Sequence, residues 1–170
     1  VKDDPEALKS AIEKGLEQAD AVFLSGGSSV GVRDHTLNVI ESFESAKVLA
    51  HGVAIKPGKP TILTKVEGKA VWGLPGHVTS AQVVWRILVN QYLNKLLGVE
   101  SKEPTTHATL KRNIPSVPGR EDYVRVKLGA SQDQDLPMAD PVFGKSGVLR
   151  TLVKSDGWIK VPSETEGLEA

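Results

Sequence analysis

Ala21-Val22-Phe23-Leu24-Ser25-Gly26-Gly27-Ser28-Ser29-Val30-Gly31 decides how this chain reads. A short apolar run suits a buried strand, a loop rich in glycine follows, and Leu37, Ile40 and Phe43 then recur at helical spacing. Strand, glycine loop and helix in that order open an α/β layer. Upstream, Asp4 is placed to N-cap a helix with Pro5 at its first position and Glu6 in its first turn, and Leu8, Ile12, Leu16 and Ala19 supply its apolar stripe. Downstream, Lys47–Ile55 reads as a β run that stops at Lys56-Pro57-Gly58-Lys59-Pro60, where two prolines and a glycine forbid regular structure. Thr61–Lys65 and Ala70–Leu74 flank Val66-Glu67-Gly68-Lys69 as a hairpin. Leu74-Pro75-Gly76 then opens a long helix through Leu97 that Gly98 ends. The expected architecture is a three-layer α/β domain.

From Ser101 onward the pattern changes. Pro104, Pro115, Pro118, Pro137, Pro141 and Pro162 punctuate short strand-like runs and no long helical period remains. In Tyr123–Leu128 the residues Val124, Val126 and Leu128 point one way and Tyr123, Arg125 and Lys127 the other, the alternation of a half-buried strand. Val148–Val153 and Trp158–Val161 supply further strand candidates. The expected division is therefore an α/β domain over residues 1–100 and a small all-β barrel over 101–170.

Composition narrows the function classes. The 170 residues carry 21 basic and 21 acidic side chains, so no overall positive field exists to condense on nucleic acid or an anionic membrane. Cysteine is absent, which removes disulfides, thiolate metal sites and thiol catalysis and agrees with a reducing compartment. The apolar stretch Val78–Leu97 is interrupted by Gln82, Arg86, Asn90, Gln91, Asn94 and Lys95, and the N-terminus lacks signal-peptide character. The expectation is a cytoplasmic protein. A first residue Val1, just before a well-marked helix, reads as a cut into a longer chain.

Several segments carry side chains suited to chemistry. Ser25–Gly31, between strand and helix, offers free backbone N–H groups and close backbone approach, the makings of a phosphate cradle; a plain chain reversal is the alternative. Gly27-Ser28-Ser29-Val30-Gly31 also fits the G-x-S-x-G nucleophile elbow, although the sequence supplies a poor set of partners for a serine hydrolase. Lys56 and Lys59 sit on a stiff Pro/Gly loop and could aim two ammonium groups at a polyanion, or simply be solvated. The loop is not a Walker A motif, because Val53 stands where that motif needs glycine. Asp34, at the start of the second helix, is placed either to cap it or to hold Mg²⁺ beside a phosphate. His35, His51, His77 and His107 lack metal-ligand spacing. Arg120 in Pro118-Gly119-Arg120-Glu121-Asp122 and Ser146 in Gly144-Lys145-Ser146-Gly147 lie in turns that could present a polar group to a ligand.

Taken together, Ser25-Gly26-Gly27-Ser28-Ser29-Val30-Gly31 with Asp34, Ile55-Lys56-Pro57-Gly58-Lys59-Pro60 and Gly73-Leu74-Pro75-Gly76 resemble the molybdopterin molybdenumtransferase family, to which the C-terminal domain of gephyrin belongs. Gly119–Val126 and Gly144–Leu149 resemble that family's C-terminal β-barrel domain. The resemblance implies a homodimeric enzyme of molybdenum cofactor biosynthesis. It inserts molybdate into adenylylated molybdopterin with Mg²⁺, releases AMP, and works beside the molybdopterin adenylyltransferase. By position, Asp34, Lys56 and Lys59 take catalytic roles, Asp34 also as metal ligand. Ser25, Gly26, Gly27, Ser28, Ser29, Gly31, Pro75, Gly76, Ser80, Arg120 and Ser146 bind the cofactor. A non-catalytic molybdopterin-binding scaffold or sensor is the alternative, a serine hydrolase the third.

Two departures stand out. His77-Val78-Thr79-Ser80 replaces the family's usual Asn-Pro-Val-Ser, and the family's Thr-Gly-Asp-Glu motif on the first strand of the α/β domain lies before the point where this chain begins. The expectation is an insertase parent, a fragment inactive by itself, and exposed edges that favour dimerisation or swapping.

Overall fold

A computed structural model describes residues 4–25, 32–100, 103–130, 136–144 and 149–170. The chain forms two units, one of residues 1–53 with 58–77 and the other of residues 54–57 with 78–170.

In the first unit, α1 (Pro5–Gln18) starts as the sequence predicts, with the Asp4 carboxylate accepting the Ala7 N–H at 2.9 Å. β1 (Ala21–Ser25) and α2 (Val32–Glu41) follow, then β2 (Lys47–His51), β4 (Ile62–Val66) and β5 (Lys69–Leu74), while the two-residue β3 (Ile55–Lys56) belongs to the second unit. The sheet order is β1-β5-β4-β2. β1 runs parallel to β5, and the other neighbours are antiparallel, with an irregularity between Val48 and Ala50. The β4–β5 turn puts Glu67 and Gly68 at φ 51° and 83°, the paired positive values that match a two-residue hairpin to the twist of its strands. Ile12 and Leu16 of α1, Val39 and Ile40 of α2, Phe43, Val66 and Val71 form one buried cluster. The helical spacing in the sequence therefore marks the faces that bury.

In the second unit, α3 (Val78–Val84), a π turn (Trp85–Val89) and α4 (Asn90–Leu97) form one helical stretch. Gly98 closes it at φ 66°, and the Val99 N–H reaches the Asn94 carbonyl at 2.9 Å. The remaining elements are β6 (Thr109–Leu110), β7 (Ile114–Pro115), β8 (Glu121–Gly129), β9 (Met138–Pro141), α5 (Leu149–Val153), β10 (Gly157–Val161) and β11 (Gly167–Leu168). β10-β8-β9-β6 form a sheet to which β3 adds along β8, and β7 and β11 make a separate ribbon. The expected α/β class is the class observed, with the helical stretch Val78–Leu97 grouped with the second unit's β sheet.

Two sequence expectations are corrected. Val148–Val153 reads as a strand, yet Leu149–Val153 is helical; so short an apolar run does not distinguish the two states by periodicity. Lys47–Ile55 is not one β run: it breaks after His51, and Ile55–Lys56 pairs with β8 instead.

Gly167 holds the ribbon together. Its φ is 148°, and an added Cβ would lie 2.1 Å from the Ile114 carbonyl oxygen, backbone that cannot swing aside. Gly167→Ala is expected to cost about 1–3 kcal/mol. Urea unfolding checks this, and an unchanged midpoint with an unchanged slope would count against it.

Candidate functional site

The first unit gathers several of the predicted residues by strand direction alone. Ser25, exposed, ends β1 opposite Leu74, the end of the parallel strand β5. Pro75 and Gly76 follow directly, the proline buried. β4 begins at the same edge, because Ile62 pairs with Gly73 on one side and with His51 on the other. The segment that delivers the chain to Ile62 carries Lys59, whose carbonyl accepts the Val53 N–H at 2.9 Å and whose side chain is exposed. Thr61 is buried and donates its hydroxyl to the Gly58 carbonyl at 2.8 Å, fixing this turn. Ser25, Lys59, Pro75 and Gly76 thus share one sheet edge, at the carboxyl ends of the parallel pair, where α/β sheets bind their ligands. Gly26, Gly27, Ser28, Ser29 and Gly31 fall outside the described residues, as does the side chain of Asp34, which lies on α2.

The second unit brings together two further predicted residues, through a third that sequence reasoning passed over. β3 lies parallel to the start of β8, with Ile55 opposite Glu121 and Lys56 opposite Asp122, and the Glu121 N–H donates to the Ala54 carbonyl at 2.9 Å. This pairing places Lys56 Nζ 3.3 Å from Asp122 Oδ2, while Arg120 Nε donates to Asp122 Oδ1 at 2.9 Å. The Asp122 side chain is 3% exposed, against 58% for Lys56 and 35% for Arg120. A buried carboxylate therefore tethers two cations whose outer faces remain in water. Two positive charges over one negative leave the cluster net positive, which suits an oxyanion with N–H donors to spare.

Parity could have revealed Asp122. It shares the strand face of Val124 and Val126, and Val126 is buried like it. A carboxylate on a buried face needs a cationic partner. Of the other predicted residues, Ser80 is buried in α3 and Ser146 lies outside the described residues.

The opposite face of β8 has its own polar chain. Lys160 of β10 lies 2.5 Å from Glu121, and the Tyr123 hydroxyl donates to the same carboxylate at 2.7 Å. Lys160 first, then Tyr123, holds the Glu121 carboxyl below its ordinary range. Burial, then the hydrogen bond to Glu121, pushes the Tyr123 hydroxyl above its own. The signs give a window. A raised tyrosine contributes stability that is complete below its unfolded value near pH 10 and is lost as the pH climbs toward the folded value; the depressed glutamate contributes above about pH 4.3 and fails as acid is added. Stability should decline above about pH 10, and Tyr123→Phe should flatten that alkaline limb while leaving a declining acid limb. Urea midpoints from pH 3 to 11 measure both limbs, and an unchanged alkaline limb in Tyr123→Phe would refute the assignment.

The family described as the probable molybdopterin binding domain matches residues 1–95, and the MoeA C-terminal region (domain IV) matches residues 107–170. The chain belongs to the molybdopterin-binding family of molybdenum cofactor biosynthesis. A Methanocaldococcus jannaschii protein named for molybdopterin biosynthesis is 37% identical over 169 residues, 99% of this chain and 39% of that protein. The molybdopterin molybdenumtransferase of Haemophilus influenzae is 32% identical over 170 residues, 99% of this chain and 42% of the enzyme. Among solved structures, a molybdopterin biosynthesis MoeA protein of Pyrococcus horikoshii matches with TM-score 0.78 and 38% identity, over 98% of this chain and 39% of that one. The chain thus spans about two fifths of the length of these curated relatives. No helix among the described residues is long and apolar enough to cross a membrane.

Proposed function

We propose that the protein to which this chain belongs is a molybdopterin molybdenumtransferase, a cytoplasmic homodimer that inserts molybdate into adenylylated molybdopterin and releases AMP. The observation that carries the reading is the meeting of Lys56 and Arg120 on the buried Asp122, a net positive cluster with exposed N–H donors. Such donors hold molybdate or phosphate oxygens. As a phosphoanhydride breaks, negative charge grows on those oxygens, and fixed cations stabilise it more than they stabilise the bound substrate. Lys59, Ser25 and the Pro75-Gly76 turn, with Gly26, Gly27, Ser28, Ser29 and Gly31, serve the pterin phosphate from the sheet edge; Ser80 and Ser146 are carried only by the family resemblance. The family division near residue 100 and a hand-off from the molybdopterin adenylyltransferase belong to the same reading.

Mg²⁺ enters it with Asp34 as the protein ligand, where it would neutralise phosphate charge. Among the described residues no three His, Asp or Glu side chains converge on a metal position, and the side chain of Asp34 lies outside them. This chain by itself is expected to bind substrate without turning it over.

Calorimetric titration of adenylylated molybdopterin, with and without Mg²⁺, tests the reading on this chain and on an Asp34→Ala, Lys56→Ala double variant. Mg²⁺-dependent binding that the variant loses is expected; equal binding by both would overturn it. AMP release by the full-length parent separates an insertase from a scaffold, which would bind without turnover.

A further inference from the structure

Within the second unit, a cavity of about 440 Å³ opens beside Arg125, away from the Lys56–Asp122–Arg120 cluster along β8. Its volume lies in the range of small-molecule sites, roughly 300–1,000 Å³. Charged side chains on its wall are Arg86, Arg125, Glu103 and Asp156. Arg86 donates to Glu103 at 2.8 Å, and Asp156 accepts the Leu128 backbone N–H at 2.8 Å. Arg125 differs: its partners among the described residues are uncharged, namely the Gln82 side-chain carbonyl, the Ser155 hydroxyl at 3.4 Å and the face of Trp158 at 5.9 Å. Burial holds this guanidinium below its ordinary value. Among the described residues this partly desolvated cation meets only neutral acceptors, weak partners that a carboxylate, which fits the guanidinium fork best, would replace.

We propose that this cavity binds a small organic monocarboxylate, its carboxylate on Arg125 and its apolar body against Leu128 and Leu152. The indole of Trp158 already carries two guanidinium groups, Arg125 and, at 5.2 Å, Arg86, so it holds the two arginines at the site and its N–H reports on them. The charge balance selects the class. Glu103 and Asp156 offset Arg86 and one further positive charge overall, so a polyanion meets repulsion where a single carboxylate meets one unpaired guanidinium.

The test is an NMR titration of the ¹⁵N-labelled full 170-residue chain with benzoate at constant ionic strength, following the Trp158 indole N–H, assigned with Trp158→Phe, and the Ser155–Gly157 amides. Saturable shifts in the millimolar range are expected, about tenfold weaker with the neutral isostere benzamide. Arg125→Gln should abolish saturation and Arg86→Gln should retain it. Absence of saturable shifts in the folded wild type, equal response to benzamide, or full binding by a folded Arg125→Gln would each overturn the proposal. Equal saturation by sulfate would overturn the organic class. Should Arg125→Gln fail to fold, the benzoate–benzamide contrast in the wild type decides.

Discussion

Lys56→Ala in the full-length parent should lower molybdate-dependent AMP release by about 10²–10³-fold, the usual loss when one preorganised donor to a developing oxyanion is removed. The expectation follows from two features of this lysine. Its ammonium is held by β3 pairing with β8 and by Asp122, so little entropy is spent in aiming it, and more than half of its side chain stays open to a ligand. Because the interaction strengthens as charge develops, the fall should appear mainly in kcat, with a smaller rise in KM. Arg120→Lys should also fail in large part, since it keeps the charge but loses the planar fork that bonds Asp122 through Nε and leaves other N–H groups outward. Steady-state AMP release on variants shown to be folded measures both. Lys56→Ala turnover within threefold of wild type would remove Lys56 from the reaction and leave Asp122 with a purely structural pair.

How much of this was legible in the sequence depends on how local the cause is. Asp4, Pro5 and Glu6 announce α1 because capping is settled within one turn, and Gly98 announces the end of α4 for the same reason. The Glu67-Gly68 hairpin is equally local. The pairing of Ile55-Lys56 with Glu121-Asp122 is not: nothing near either segment encodes a partner so distant along the chain, so Lys56 and Arg120 could be named as candidates yet not joined. Asp122 was accessible by strand parity, but an acidic residue in a Gly-Arg-Glu-Asp turn reads first as solvated. Arg125 misled for the opposite reason. Alternation assigns it to the open face, correctly, but Gln82, Ser155 and Trp158 cover that face in the fold and leave it only partly exposed. The sheet-edge residues Ser25, Lys59, Pro75 and Gly76 were grouped by resemblance, and strand direction supplies the physical reason for the grouping.

Asp122→Ala should destabilise the second unit by about 1–3 kcal/mol and weaken oxyanion binding at the same time. Two charge-assisted hydrogen bonds are lost, which taken alone would set a higher figure. The discount comes from exposure: Lys56 and Arg120 can turn their charges into water once the carboxylate is gone, so the large penalty of a stranded buried ion does not arise. Asp122→Asn separates the two effects. It keeps the shape and one acceptor, so most of the stability should survive. Removing the charge, however, leaves Lys56 and Arg120 repelling each other and no longer drawn to one point. A site that works by net charge alone would bind molybdate more tightly in Asp122→Asn, because the cluster gains positive charge. A site that works by aim binds it more weakly, and that is the expected result, since two half-exposed cations free to diverge lose the chelate that their common anchor enforces. Urea unfolding gives the stability difference and calorimetry with molybdate at two salt concentrations gives the binding. Tighter binding by Asp122→Asn at both concentrations would show that the buried carboxylate restrains the site's charge and that Lys56 and Arg120 need no anchor to act together.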